Sequence, residues 1–125
     1  MAFSSPTESQ LVTITSQPPN ALSVLEGQPL TLEWTFIVTR TFGRVQFGFS
    51  GAILPRIEAS PGSPSIIRGI FYGRVIASTT ETNATITFSS LIRTDTASYV
   101  FAVTDDDDGV AQAPLQLIVL CEYKL

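Results

Sequence analysis

The chain has 125 residues, 44% apolar and 14% charged, with a formal net charge of −4. That is enough chain for one domain with a core of its own, and too apolar for a disordered segment. Seven basic residues, in no run, weigh against binding a nucleic-acid backbone. There is no histidine, and Cys121 is the single cysteine, so one chain cannot build a His/Cys zinc site, a Ser-His-Asp or Cys-His catalytic arrangement, or an internal disulfide. No apolar run approaches the ~20 residues of a membrane helix. Met1-Ala2-Phe3 opens without the basic and apolar regions of a signal peptide. The expectation is either a cytosolic protein or a piece whose signal and anchor lie outside it.

In chain order, residues 1–9 read as an N-terminal extension, 10–120 as the domain and 121–125 as a tail leading to a following domain. Alternation then dominates. In "PLTLEWTF", Leu30, Leu32, Trp34 and Phe36 share one face and Thr31, Glu33 and Thr35 the other. Ile86 with Phe88, and Val45 with Phe47 and Phe49, repeat the pattern, which marks half-buried strands. The predicted strands are Leu11–Thr15, Ala21–Leu25, Gln28–Val38, Val45–Phe49, Ile53–Glu58, Ile66–Ile70, Val75–Ser78, Thr85–Phe88, Ser98–Thr104 and Ala113–Leu120. Turn compositions separate them: "QPPN", "EGQP", "TFGR", "ASPGSPS", "TETN" and "DDDDG". Nine or ten short strands separated by turns imply an all-β sandwich of two antiparallel sheets.

The segment "VLEGQPLTLEWTF", with a turn at Gly27, resembles the A′ and B strands of a variable-set (V-set) immunoglobulin domain. "GRVIASTTETNATITFSSLIRTDTASYVFAV" is similar to its D, E and F strands in unbroken register. The resemblance implies that Arg74 and Asp95 bridge the bottom of the sandwich and that Tyr99, two residues before Phe101, makes the tyrosine corner. It places Trp34 and Phe101 where the two cysteines of the inter-sheet disulfide would stand. The C-strand tryptophan is replaced by Phe47, with Val45 the other candidate. Strand G, "AQAPLQLIVL", lacks the Gly-x-Gly bulge that helps shape pairing of antibody variable domains. Two facing aromatics can make good a missing crosslink: a disulfide contributes about 2–5 kcal/mol. Burying two rings of ~150–250 Å² each offers roughly 4–6 kcal/mol apiece as an upper bound. With its cysteines absent, the whole pattern resembles the membrane-distal domains of cnidarian (hydroid) allorecognition receptors. That resemblance implies the extracellular part of a single-pass plasma-membrane protein that binds its own allelic form on an opposing cell.

Candidate binding residues follow from where the segments would fall. Asp105, Asp106, Asp107 and Asp108 belong to the loop between the last two strands, at the end of the sandwich where variable domains carry binding loops. Four adjacent aspartates cannot all face one ion, so calcium is the lesser reading beside a solvated turn or a recognition loop. Arg40, Arg44, Arg56 and Arg68 lie in neighbouring segments; each is an ordinary surface arginine alone, and as a set they could face the acidic loop of a second copy. Phe42 is either tucked under its loop or an exposed anchor. Asn83-Ala84-Thr85 is an N-glycosylation sequon on the turn before the eighth strand. Nothing brings Glu33 and Glu58 together as a glycosidase pair. The expectation is therefore a homophilic recognition module: no enzyme, no cofactor, no metal, no nucleic-acid partner and no membrane contact of its own. A structural intracellular immunoglobulin-like module, or a calcium- or carbohydrate-binding sandwich, is the alternative.

Overall fold

A computed structural model describes residues 12–107 and 109–121. Its ten strands are β1 (Val12–Ser16), β2 (Ala21–Leu25), β3 (Leu30–Val38), β4 (Phe42–Phe49), β5 (Ile57–Ala59), β6 (Ile66–Ile67), β7 (Val75–Thr79), β8 (Asn83–Phe88), β9 (Ala97–Asp105) and β10 (Val110–Leu120). They form a four-stranded sheet, β1-β3-β8-β7, and a six-stranded sheet, β2-β10-β9-β4-β5-β6. All pairings are antiparallel except β2 with β10. The expected residues 1–9, Leu11 at the head of the first strand, and positions 122–125 of the tail lie outside the described residues.

Alternation builds the core directly. Leu32, Trp34 and Phe36 of β3, Ala84, Ile86 and Phe88 of β8, Tyr99, Phe101 and Val103 of β9, and Ala113, Leu115, Leu117 and Val119 of β10 all point between the sheets and are buried. Trp34 and Phe101 stack face to face across the sandwich, with centroids 4.1 Å apart and planes 4° apart. Phe47 fills the neighbouring position, 5.7 Å from Trp34 and stacked at 4.9 Å on Tyr99, while Val45 is buried one inward position earlier. Aromatic pairs contribute ~0.5–1.5 kcal/mol beyond their burial. A layer of rings thus spans the gap a disulfide would cross. Pro114 is tolerated in β10 because β2 joins that strand only from Gln116 onward, so the missing N–H falls on a stretch paired on one side.

Three expected strands change shape, for local reasons. β5 is only Ile57–Ala59: Gly51, at φ +83°, turns the chain after β4, Pro55 has no N–H for a ladder, and residues 50–56 run as a loop. That loop crosses close over Gly48, where a Cβ would lie 3.1 Å from the Pro55 Cα. β6 stops at Ile67, because Gly69 (φ +66°) opens a 3-10 turn, Gly69–Phe71, that swings Phe71 into the core. β4 begins at Phe42, since its ladder with β9 continues past a bulge at Gly43, where a Cβ would meet the Asp105 carbonyl oxygen at 2.7 Å.

Candidate recognition surface

The two ends of β9 carry different chemistry. At its start, Asp95 is fully buried and accepts hydrogen bonds from Arg74 Nη2 (2.8 Å) and Nη1 (3.1 Å) and from the Ile92 N–H (2.9 Å). Arg74 also donates to the carbonyls of Ile70 and Ser90, at 3.1 Å each. The Tyr99 hydroxyl donates to the Asp95 carbonyl. Hydrogen bonding to Asp95 holds the Arg74 guanidinium above its ordinary range. Burial, reinforced by the Asp95 charge and opposed by Arg74, pushes the Tyr99 phenol well up. This cluster clamps the chain before β9 to the β7 side of the sandwich.

At the other end the acidic loop divides. Asp105 is not a surface residue offered to a partner: it is buried, and its Oδ1 accepts the N–H groups of Asp107 (2.8 Å) and Gly109 (2.7 Å), closing the turn into β10. Its Oδ2 is, among the described residues, the buried side-chain polar atom without a partner. Asp107 is already paired, with Arg40, which ties the β9–β10 turn to the β3–β4 loop. Asp106 is exposed, and its N–H is held by the Thr41 carbonyl at 3.0 Å. It borders an open hollow of about 470 Å³ that Arg44 also lines. Asp108 lies outside the described residues. Among the described residues, no cluster of three acidic, cysteine or histidine side chains converges on a point that could hold a metal.

The other expected arginines also have partners within the chain. Arg68 donates to Glu58 Oε2 and to the Pro55 carbonyl, both at 2.7 Å, and Arg44 approaches Glu58 Oε1 at 3.7 Å. Burial pushes the Glu58 carboxyl up, but hydrogen bonds from Arg68 and Gln46 and the charges of Arg68 and Arg44 outweigh it, leaving it below the usual carboxylate value. Arg56 lies over the Phe49 ring, 5.3 Å from its centroid. Phe42 is half-buried and stacked on Phe36 at 5.7 Å, so it supports its strand from below instead of protruding. Glu33 and Glu58 stand on the outer faces of opposite sheets, far from any shared pocket.

What lies between these charged groups is the part that charge reading missed. Across the outer face of the six-stranded sheet run Gln112, Ala102, Gln46 and Glu58 in register, with Pro114, Val100 and Gly48 in the next row. Of these, the uncharged Gln46, Gly48, Val100, Ala102 and Gln112, with Ala52, Ile53 and Pro55 of the β4–β5 loop, line a shallow cleft of about 200 Å³. Ile53 stands wholly exposed beside it, and Leu54 is 56% exposed. The pattern Ile53-Leu54 reads in sequence as the start of a strand; only Pro55 hinted that both could be left outside the ladder. Asn83 is the first residue of β8, not a turn residue, and its Oδ1 accepts from the Thr80 hydroxyl at 2.7 Å. Cys121 is exposed just past β10, with Arg93 alongside.

Two sheets in this strand order, with the short β5–β6 pair added at one edge and an aromatic stack in place of a disulfide, define an immunoglobulin-like sandwich of the variable type. The crystal structure of a swine CD8aa homodimer shares this fold: the match covers 88% of this chain and 98% of that one with a TM-score of 0.67, at 10% sequence identity. No family model matches the chain. No curated protein matches it by sequence.

Proposed function

We propose that the domain is a recognition module that binds a second copy of itself through the outer face of the six-stranded sheet, displayed on one cell toward an opposing cell. The observation that carries this reading is the composition of that face. Its centre is uncharged, most of the charges around it are already paired within the chain, and an exposed Ile53 stands beside a cleft it could fill on a partner. A two-fold interface is self-complementary, so one protruding residue next to one cleft is used twice. The swine CD8aa structure of the same fold is a homodimer, which supports self-association as a use of such a sandwich. The domain acts without catalysis or cofactor, and it sits outside the cell on a protein anchored elsewhere in its chain.

The allorecognition reading follows from the same surface. If paired copies meet on this face, a substitution there alters which allelic forms fit, and a single misplaced charge penalises the wrong pair. The test is clustering of beads coated with the domain alone, alongside sedimentation of the free domain. The native domain clusters; Val100→Arg, which sets a charge in the middle of the face on a half-exposed position, abolishes clustering with the circular dichroism and melting temperature retained. Clustering that survives Val100→Arg removes this face from the reading, and no clustering in multivalent display removes homophilic binding altogether.

A further inference from the structure

The outer face of the four-stranded sheet has a different character from either surface described so far. Thr31, Thr35, Thr85 and Thr87 project from β3 and β8, and cross-strand hydroxyl contacts join Thr31 to Thr87 (3.3 Å), Ser78 to Thr85 (3.0 Å) and Thr15 to Thr35 (2.8 Å). Glu33 is the charged side chain on the strands of this face, and two large apolar residues, Ile37 (55% exposed) and Ile76 (72%), are left open to solvent on it. Asn83 stands at one end of this face. It alternates with the buried Ala84, Ile86 and Phe88, so its side chain leaves on the outer side, and it is paired across the sheet with Thr35. The Thr80 hydroxyl holds its Oδ1, so the turn fixes the oxygen end of the amide and leaves the nitrogen end to solvent.

We infer that Asn83 carries an N-linked glycan whose first sugars lie over the hydroxyl-rich outer face of the four-stranded sheet, confining protein partners to the other sheet. The inference rests on the extracellular placement proposed above. Attachment needs a lipid-linked oligosaccharyl pyrophosphate as donor. The Asn83 Nδ2 forms a bond to the sugar C1, the C1–O bond to the pyrophosphate breaks, the lipid pyrophosphate leaves with the electron pair, and an amide proton passes to base. Thr85 supplies the hydroxyl that the acceptor tripeptide requires. Attachment precedes folding, so the folded domain must tolerate the adduct. An outward Asn83 beside Thr35 does so, because neither ladder nor core has to move. Polar hydroxyls interspersed with two exposed isoleucines suit a sugar, which offers hydroxyls at its rim and C–H groups on its faces.

The experiment uses the domain secreted from a eukaryotic host behind an added leader, with Cys121→Ser as background, so that it reads the site itself; surface labelling of the full chain in its own cells would read the extracellular placement separately. Peptide mass analysis after amidase treatment should show Asn83 converted to Asp in the native sequence and in Thr85→Ser, and not in Thr85→Ala. For coverage, Glu33→Cys on the hydroxyl face and Gln112→Cys on the opposite sheet are labelled with a maleimide before and after removal of the glycan. Labelling at Glu33→Cys should quicken several-fold on deglycosylation while Gln112→Cys is unchanged. An unmodified Asn83 in secreted, folded domain overturns the site. Equal rates at Glu33→Cys with and without the glycan overturn the shielding.

Discussion

Phe101 is fully buried with its ring against Trp34; Phe36 packs further against Phe101 and Phe47 against Trp34. Truncation to alanine removes the burial of one ring and the stacking face of the other, and leaves a cavity between the sheets. Phe101→Ala should lower the free energy of unfolding by about 3–5 kcal/mol, read from urea melts. Asp95 offers a comparison of two ion pairs in one molecule. It is buried and satisfies three donors, so Asp95→Ala strands the Arg74 guanidinium and the Ile92 N–H, at a cost of about 3 kcal/mol. Arg93 meets Glu26 at 3.9 Å with both side chains in solvent, and Arg93→Ala should leave the urea midpoint essentially where it is. Equal effects of the two would mean that burial does not set the worth of these pairs. Such core residues are legible in sequence because Asp95-Thr96-Ala97-x-Tyr99 sets a register that places Phe101 two positions past Tyr99. The role of Asp105 is not legible. Four aspartates in a row are chemically alike, and only the turn into β10 selects which carboxylate folds back to receive two N–H groups.

At the scale of elements, strands whose inward positions are regularly apolar, such as β2, β3, β8 and the inner part of β9, can be read to within two residues, because a large apolar side chain recurs at every second position. The failures fall where alternation is absent or misleading. Residues 53–58 read as a strand from their apolar character, yet Gly51 and Pro55 make a loop of most of them, and the cleft beside Ile53 exists only because that loop crosses Gly48. The ion-pair hub on β5 was likewise hidden, since its members, Arg44, Glu58 and Arg68, are joined by strand pairing across 24 residues and not by any local spacing. That hub has a pH signature. The folded-state pKa of Glu58 is lowered, so the stabilisation is present above the ordinary carboxylate pKa of about 4.3 and is lost as pH falls through the folded value. Melting temperature should therefore drop more steeply below about pH 4.5 in the native protein than in Glu58→Gln, whose amide does not titrate. Parallel curves for the two proteins would mean that the network adds nothing to folding at neutral pH.

The whole molecule sets two expectations against each other. Reading charges alone, an acidic loop on one copy should meet arginines on the other, and salt should weaken the pair. The structure has already used most of those charges: Arg40 holds Asp107, Arg44 and Arg68 hold Glu58, and Asp105 is turned inward. Each copy also carries a net charge of −4, so two copies repel at long range. If self-association runs through the uncharged centre of the six-stranded face, salt should leave it unchanged or strengthen it. Going from about 0.1 M to about 1 M shortens the Debye length from ~10 Å to ~3 Å and screens the repulsion while leaving apolar contact in place. Ile53 is the sharper probe, because a wholly exposed side chain contributes little to the fold, so changing it leaves stability alone. Burying an isoleucine contributes roughly 1.5–3 kcal/mol, so Ile53→Glu should weaken self-association by at least about tenfold. Asp106→Asn, at the exposed acidic position by the opposite end of β4, should change it by less than about twofold, as expected of a solvated rim charge. Bead clustering over a salt series with the native domain and these two variants separates the alternatives. Clusters that dissolve with salt, persist in Ile53→Glu and fail in Asp106→Asn would return recognition to the acidic loop and take it away from the sheet.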